Sequence, residues 1–537
     1  MHLEPRTLNW VGVLATGLWT LGAMFCMTLQ AQAADRTNVP LRNWGAFAIN
    51  REWTYDAVER LVLAGLTDRA VLNTKPMSRL EMALLIAQAI EKIEAGREGA
   101  YNDREALEET LWSLIEEFQP ELAELKVAPA LRMGKPHGFF FLKPVDQVQI
   151  REAFADRDLA LENNQGELYR KGPNVRWAFR SRAQIGDSLS FSLHPEALLD
   201  EEAIQGRLVE GSIKLTFKNI ELLVGRDSLW WGPGFHGAVL FSNNARPLEL
   251  IKLSSAEPFL FPGFLKSLGP TKVTFFLARL EEDRDFPHAK LAGLRLNFAP
   301  FPSLEMGFSR AIQFGGRGRP SPTVGDIPAS FIGQEGSGIR GPQDPRDNNQ
   351  LFSYDVTLRL SRVDRLLPIA KDLQLYFENG SDDKTGLSKS GLLFGLFIPN
   401  LLYSPGTDLR LEYATLNRTW YQHAIYTSGF TFKGRILGHH IGGDGRDLYV
   451  RLTHRFSPDL LIGFDLDVER RGNAGLSKPA ERRTEQRVSP GLDLSYRFSK
   501  HLAIFTAYRL DLVQDRGFVA GKDGADHLLQ LELTYSF

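Results

Sequence analysis

The chain has 537 residues and a formal net charge of -2, from 63 Lys and Arg against 65 Asp and Glu. That balance excludes a dedicated nucleic-acid binder, which carries a strongly basic domain, and 43% hydrophobic with 24% charged residues excludes global disorder. The single cysteine, Cys26, lies in an N-terminal apolar run, so disulfide frameworks, zinc-cysteine sites and cysteine nucleophiles are excluded for the rest of the chain.

Residues 1–33 read as an export signal. Arg6 precedes an uncharged stretch from Trp10 to Leu29, and Ala31-Gln32-Ala33 offers a small-x-small cleavage site before Ala34. A membrane anchor is the competing reading, since about 20 apolar residues span a bilayer. The small-residue box and the polar Asp35-Arg36-Thr37-Asn38 beyond it favour cleavage. No later stretch is long and apolar enough for a helical span.

Residues 34–135 predict a helical domain, which the barrel argued below places on its periplasmic side or partly under its mouth. Tyr55, Val58, Leu61, Val62 and Gly65 recur at helical spacing and stop at the glycine. Ser78 with Glu81 three residues on predicts a capping box, followed by the apolar stripe Leu80, Ala83, Leu84, Ala87. A third amphipathic helix is predicted from about Arg104 to Leu125. Trp53-x-Tyr55, Leu61, Gly65-Leu66 and Pro76-Met77-Ser78-Arg79-x-Glu81-x-Ala83 resemble a single S-layer homology repeat over 52–96. That resemblance implies cell-wall polymer, hence peptidoglycan, as a partner; a small helical bundle that packs on the rest of the chain is the plain alternative.

From residue 147 the period changes to two. Leu460, Ile462, Phe464, Leu466 and Val468 alternate with Asp465 and Asp467, and the same rhythm runs through 175–185, 213–217, 294–298, 354–360, 373–377, 448–456, 492–498 and 502–512. The polar face carries Arg359, Arg410, Glu412, Arg451, Arg455, Arg497, Arg509 and Asp511. The chain ends on Leu529, Leu531, Leu533, Tyr535 and Phe537, which looks like the terminal signal of bacterial outer-membrane barrels. No helical layer covers the apolar faces, so residues 147–537 predict a transmembrane antiparallel β-barrel, mainly β in class, in which every backbone polar group pairs internally. At roughly 22 residues per strand and connection this gives about 18 strands, or 16, the number being even. The Gly- and Pro-rich segment 314–350 is predicted outside the cell or folded into the lumen, with 380–390 and 470–488 on the same side.

Motifs for chemistry are sparse. Gly336-Ser337-Gly338-Ile339-Arg340-Gly341 fits a dinucleotide pattern only literally, without the flanking strand and helix. His439-His440, with His423 and Asp444 near, suggest a metal, but adjacent histidines on a strand point to opposite faces; a turn is the favoured reading. The acidic run Glu281, Glu282, Asp283, Asp285 reads as a solvated hairpin end. No cofactor, metal site or catalytic group is predicted.

One segment stands apart: Arg226 and Asp227, then Trp230-Trp231-Gly232-Pro233-Gly234, His236, and Asn243, Asn244 and Arg246. Two tryptophans beside Gly-Pro-Gly place large rings at a kink, with amide and guanidinium donors nearby. Aromatics stack on sugar rings while such donors bond hydroxyls, and planar Arg grips a carboxylate bidentately. An aromatic pair at the membrane interface with a structural turn explains the residues equally well.

The Trp230-Trp231-Gly232-Pro233-Gly234 and Ser242-Asn243-Asn244-Ala245-Arg246-Pro247 segments resemble the signature of the Wzi family of capsule-assembly proteins, and Gly438-His439-His440-Ile441-Gly442 is similar to that family's C-terminal half. The resemblance implies a non-enzymatic outer-membrane lectin that binds capsular or extracellular polysaccharide and helps assemble or retain it at the cell surface. Its partners would be that polysaccharide and outer-membrane lipid, with no nucleic acid. A porin-like channel for polysaccharide or small solutes is the alternative, and an envelope tether through 52–96 a third.

Overall fold

The computed structural model describes residues 35–41, 53–68, 70–95, 104–127, 139–200, 204–320, 331, 344, 347–382, 390–472 and 483–537. The expected export signal, Cys26, the Gly336–Gly341 segment and most of 314–350 lie outside these residues.

Eighteen strands form one closed antiparallel barrel. They are β1 (Phe140–Ala155), β2 (Gly172–Ile185), β3 (Leu189–Leu199), β4 (Ile204–Phe217), β5 (Ile220–Asp227), β6 (Leu248–Ser255), β7 (Thr271–Arg279), β8 (Lys290–Phe301) and β9 (Leu304–Phe314). The second half comprises β10 (Asn349–Ser361), β11 (Asp372–Asp382), β12 (Ser390–Ile398), β13 (Thr407–Leu416), β14 (Gly445–Ser457), β15 (Leu460–Gly472), β16 (Thr484–Arg497), β17 (Leu502–Gln514) and β18 (Gly524–Ser536). Each strand pairs with its neighbours in sequence, and β1 closes on β18 from Gln147↔Ser536 to Ala155↔Leu528. No helix among the described residues is long and apolar enough to cross a membrane. Closure leaves no edge, the condition for strands in lipid.

The two-residue period sorts the side chains. On β18, Leu529, Leu531, Leu533 and Tyr535 face outward, exposed, while Gln530 and Glu532 are buried against the lumen. On β15, Phe464 faces out and Asp465, Asp467 and Glu469 face in. Phe139, Phe217, Phe301, Phe456, Phe498 and Phe537 are all well exposed at the end of the barrel that carries the short turns. They form one aromatic girdle of the kind that marks a bilayer interface.

The lumen is filled from both ends. At the short-turn end α1 (Trp53–Leu63), α2 (Arg79–Glu94) and the segment 70–78 meet the inner wall, and α3 (Arg104–Glu117) and α4 (Gln119–Glu124) pack on α1 and α2. The expected third helix breaks at Phe118, because Pro120 in the first turn of α4 cannot continue the preceding ladder. Ser78 caps α2 by accepting from the Glu81 N–H at 3.1 Å, but Glu81 does not reach back. Its carboxylate instead pairs with Lys272 of the wall at 2.5 Å. Segment 70–78 is strung along the inner wall: Glu305 accepts from the Leu72 and Asn73 N–H groups at 2.8 Å each. Arg295, wholly buried, donates to Thr74 Oγ1 at 2.7 Å and to Asn73 O at 2.9 Å, and pairs with Asp355 at 2.7 Å.

From the opposite end the β5–β6 connection (228–247) and the β13–β14 connection (417–444) fold inward. Glu412 of β13 accepts from the backbone N–H groups of Phe235 (2.7 Å), His236 (3.1 Å) and Gly237 (3.0 Å), and from the Tyr376 hydroxyl (2.9 Å). Glu412→Gln leaves one acceptor oxygen and turns an amide N–H toward these donors. At least one buried N–H then goes unmet, at a cost of about 1–3 kcal/mol. We expect the temperature at which the folded barrel loses its fast gel migration to fall; an unchanged temperature would contradict this account of the plug.

Candidate functional site

The Trp-Trp-Gly-Pro-Gly segment is where the two plugs meet. Thr74 and Lys75 pair antiparallel with Trp231 and Trp230, and the Gly232 N–H donates to Asn73 O at 3.0 Å. Neighbouring residues on a strand point to opposite faces. Trp230 accordingly enters the core built by the N-terminal helices, and Trp231 enters the core of the inward-folded connections. Trp231 lies edge-on to Phe241 (5.0 Å between ring centroids) and Phe276 (5.4 Å). Both indoles are 0% exposed, so neither presents a face to solvent. Gly232 has φ 137°, and a Cβ there would lie 2.5 Å from Glu378 Oε2. The glycine lets the chain turn against the wall.

The other sequence-predicted residues share this connection but differ in access. Asp227 faces the lumen, paired with Lys252 at 2.5 Å and accepting from Asn38 of the N-terminal segment at 3.3 Å. His236 is buried, its ring stacked on Tyr449. Asn243 donates to Leu41 O at 3.3 Å and Asn244 to Ile436 O at 3.0 Å. These amides hold the plug together. Arg226 sits at the outer rim, paired with Glu249 at 2.5 Å.

Arg246 alone of the set is exposed without an ion pair or hydrogen bond among the described residues. Its stem lies over Gly166, where a Cβ would come 2.7 Å from Arg246 Cγ. Burial of half the side chain, then the neighbouring guanidiniums of Arg207, Arg226 and Arg176, push its pKa down. Lys433, on the turn of the 431–436 hairpin, is likewise lowered, by burial and then by Arg246 and Arg226. The other cations of the group have carboxylates: Arg207 pairs with Glu196 (2.7 Å) and Glu167 (3.1 Å), and Arg176 with Glu196 (2.6 Å). Among the described residues, Arg246 and Lys433 are therefore the two cations of this group with no carboxylate at ion-pair distance, at the mouth opposite the short turns. Sequence reasoning found Arg246 but missed Lys433 and Arg207. Residues 207, 246 and 433 lie too far apart in the chain for a local pattern to join them.

The fold and this surface define a plugged outer-membrane β-barrel with Arg246 and Lys433 at its outer mouth. The family model for capsule assembly protein Wzi matches residues 147–514, and the chain belongs to that family. It is 26% identical over 338 residues to an uncharacterized 55.8 kDa protein in the cps region of Klebsiella pneumoniae, covering 62% of this chain and 58% of that protein. The chain thus spans little more than half of that relative's length. Among solved structures it resembles Wzi, an outer-membrane protein involved in group 1 capsule assembly in Escherichia coli and described as a carbohydrate-binding β-barrel. The TM-score is 0.65 at 18% identity, covering 91% of this chain and 99% of that one.

Two outcomes test this geometry. Trp231→Ala should lower stability by about 3–5 kcal/mol, the usual cost of truncating a buried tryptophan, read as a lower melting temperature in detergent. Glu167, in the 156–171 connection beneath Arg246, gives a pH signature. Burial pushes its carboxyl up, but Arg176, Arg151 and Arg207 overcome this and bring it down to about 2. A carboxylate with a depressed folded pKa stabilises fully above its ordinary value of 4.5 and loses that contribution as pH falls toward about 2. Hydrogen exchange in 159–169, corrected for intrinsic rate, should rise across that window, and Glu167→Gln should abolish the rise.

Proposed function

We propose that this protein binds an acidic capsular or extracellular polysaccharide at its outer mouth and helps hold the polymer at the cell surface, without catalysing a reaction on it. The observation that carries the reading is the pair of cations Arg246 and Lys433, each without an ion pair among the described residues, on two neighbouring inward-folded connections. A planar guanidinium pairs bidentately with a carboxylate, and uronate or pyruvylated sugars offer such groups on every repeat. Membership of the capsule-assembly family and the carbohydrate-binding description of the Escherichia coli protein support the same reading. In this scheme residues 1–33 are removed on export, α1–α4 face the periplasm, and lipid surrounds the apolar belt. Residues 52–96, with their S-layer-homology-like pattern, would contact peptidoglycan.

The test is binding of purified acidic and neutral polysaccharides to the folded protein in detergent. Arg246→Glu and Lys433→Glu should each weaken the acidic polymer at least tenfold and leave the neutral one unchanged, and the unsubstituted protein should lose affinity as salt rises. Equal binding by all three proteins would overturn the reading. The channel alternative has its own measurement: a lumen filled from both ends should carry little steady current in a planar bilayer, whereas porin-like conductance would favour transport.

A further inference from the structure

We propose that His236, His440, Asp447 and Asp467 form a binding site for one divalent transition-metal cation, which locks the inward-folded connections to the barrel wall. The four residues come from four separate places. His236 belongs to the β5–β6 connection, His440 to the β13–β14 connection, Asp447 to β14 and Asp467 to β15. One donor atom from each lies within 4.8 Å of the others, and all four residues are buried, Asp467 completely.

The spacing suits a metal. His440 Nε2 is 3.0 Å from Asp447 Oδ2, His236 Nε2 is 3.4 Å from the same oxygen, and His236 Nε2 is 3.6 Å from Asp467 Oδ2. Two ligands each about 2.1 Å from a tetrahedral ion lie roughly 3.4 Å apart. Both oxygens of Asp447, both of Asp467, and the Nε2 atoms of His236 and His440 have no aligned hydrogen-bond partner. Burying two carboxylates in that condition is costly, and buried charges are normally paired or bound to metal. A divalent cation matches their combined charge.

The chemistry of the set narrows the ion. Two imidazoles with two carboxylates favour zinc and its first-row neighbours, whereas calcium and magnesium prefer oxygen alone. Outer contacts fix the ligands: His236 stacks on Tyr449 at 4.0 Å and 2°, and its backbone is held by Glu412. Coordination through His440 Nε2 leaves Nδ1 protonated. Asn163, whose amide nitrogen lies 3.3 Å from Nδ1 and whose oxygen has no partner, can turn its amide so that the oxygen accepts a hydrogen bond from Nδ1–H, at the expense of its bond to His236 O. Glu469 Oε1 lies 3.0 Å from His440 Nε2 and already balances Arg471 and Arg487. The competing arrangement places a proton on His236 between Asp447 and Asp467, with no metal. The adjacent-histidine objection does not apply, because residues 438–443 are not a strand. The His439 and His440 rings stack on one side at 4.6 Å.

The experiment uses the full chain in detergent, stripped with a chelator, incubated with zinc, desalted and assayed for metal. One zinc per chain is expected, with at least a tenfold loss of occupancy in Asp467→Asn at the same free zinc. Should that variant lose folded gel migration, His440→Gln gives the same reading. Cobalt in place of zinc should give the visible absorption of a four-coordinate site with no substitution at all. Removing the metal should speed tryptic cleavage in 417–444. No uptake by the unsubstituted protein, or equal uptake by the folded variants, would overturn the site and favour the proton. The outcome is independent of polysaccharide binding, which rests on Arg246.

Discussion

The structure depends on satisfying a polar inner wall from which solvent is excluded. Closing the barrel settles every backbone hydrogen bond toward lipid, but the strand period then turns half of the side chains inward. Arg295, Asp355, Glu305, Glu378 and Glu412 are all buried there. A buried charge without partners costs far more than a hydrogen bond returns. The plug supplies those partners, largely from its own backbone: Glu305 takes two N–H groups of the N-terminal segment, and Glu412 takes three of the β5–β6 connection. The wall and the plug each leave polar groups that only the other meets, which is why they form one body rather than a pore with a cork.

That mutual need explains what the sequence made legible. The barrel was readable because alternation is local: Leu529, Leu531, Leu533 and Tyr535 state the outer face without reference to any other strand. The helical caps were readable for the same reason, as Ser78 shows. The fate of Glu81 was not. A capping box is a local pattern, and Lys272, nearly two hundred residues on, offered the carboxylate a buried ion pair that the local contact did not match. Pro120 was a local signal that outweighed the apolar stripe running through it.

At the candidate site the division is sharper. The residue types at Trp230 and Trp231 suit both sugar stacking and a turn, and composition weighs these alike. Burial separates them, since both rings sit at the junction of two plugs that meet across Thr74 and Lys75. Arg246 was visible as a donor, but its significance lies in lacking a carboxylate while Arg207 and Arg226 have theirs. Such a difference exists only in the assembled rim. Strand geometry would turn the adjacent histidines at 439 and 440 to opposite faces. The loop bends there, and the carboxylates that face His440 come from β14 and β15.

A rigid base suits the proposed ligand. A single exposed guanidinium on a mobile loop loses most of its binding energy to ordering itself, and anchoring the loop beforehand removes that cost. Here Glu412, Asn243 and Asn244 anchor the chain that leads to Arg246, and Gly166 lies beneath its stem, so the backbone that carries the cation is held without any ligand. The affinity of one arginine and one lysine for one acidic residue is small. A polysaccharide presents the same carboxylate at every repeat, and when one repeat leaves, the next is already within reach at high effective concentration. Weak contacts of this kind hold a polymer while letting it slide. A pair of such cations above a filled lumen therefore suits retention at the surface better than capture of a single small molecule.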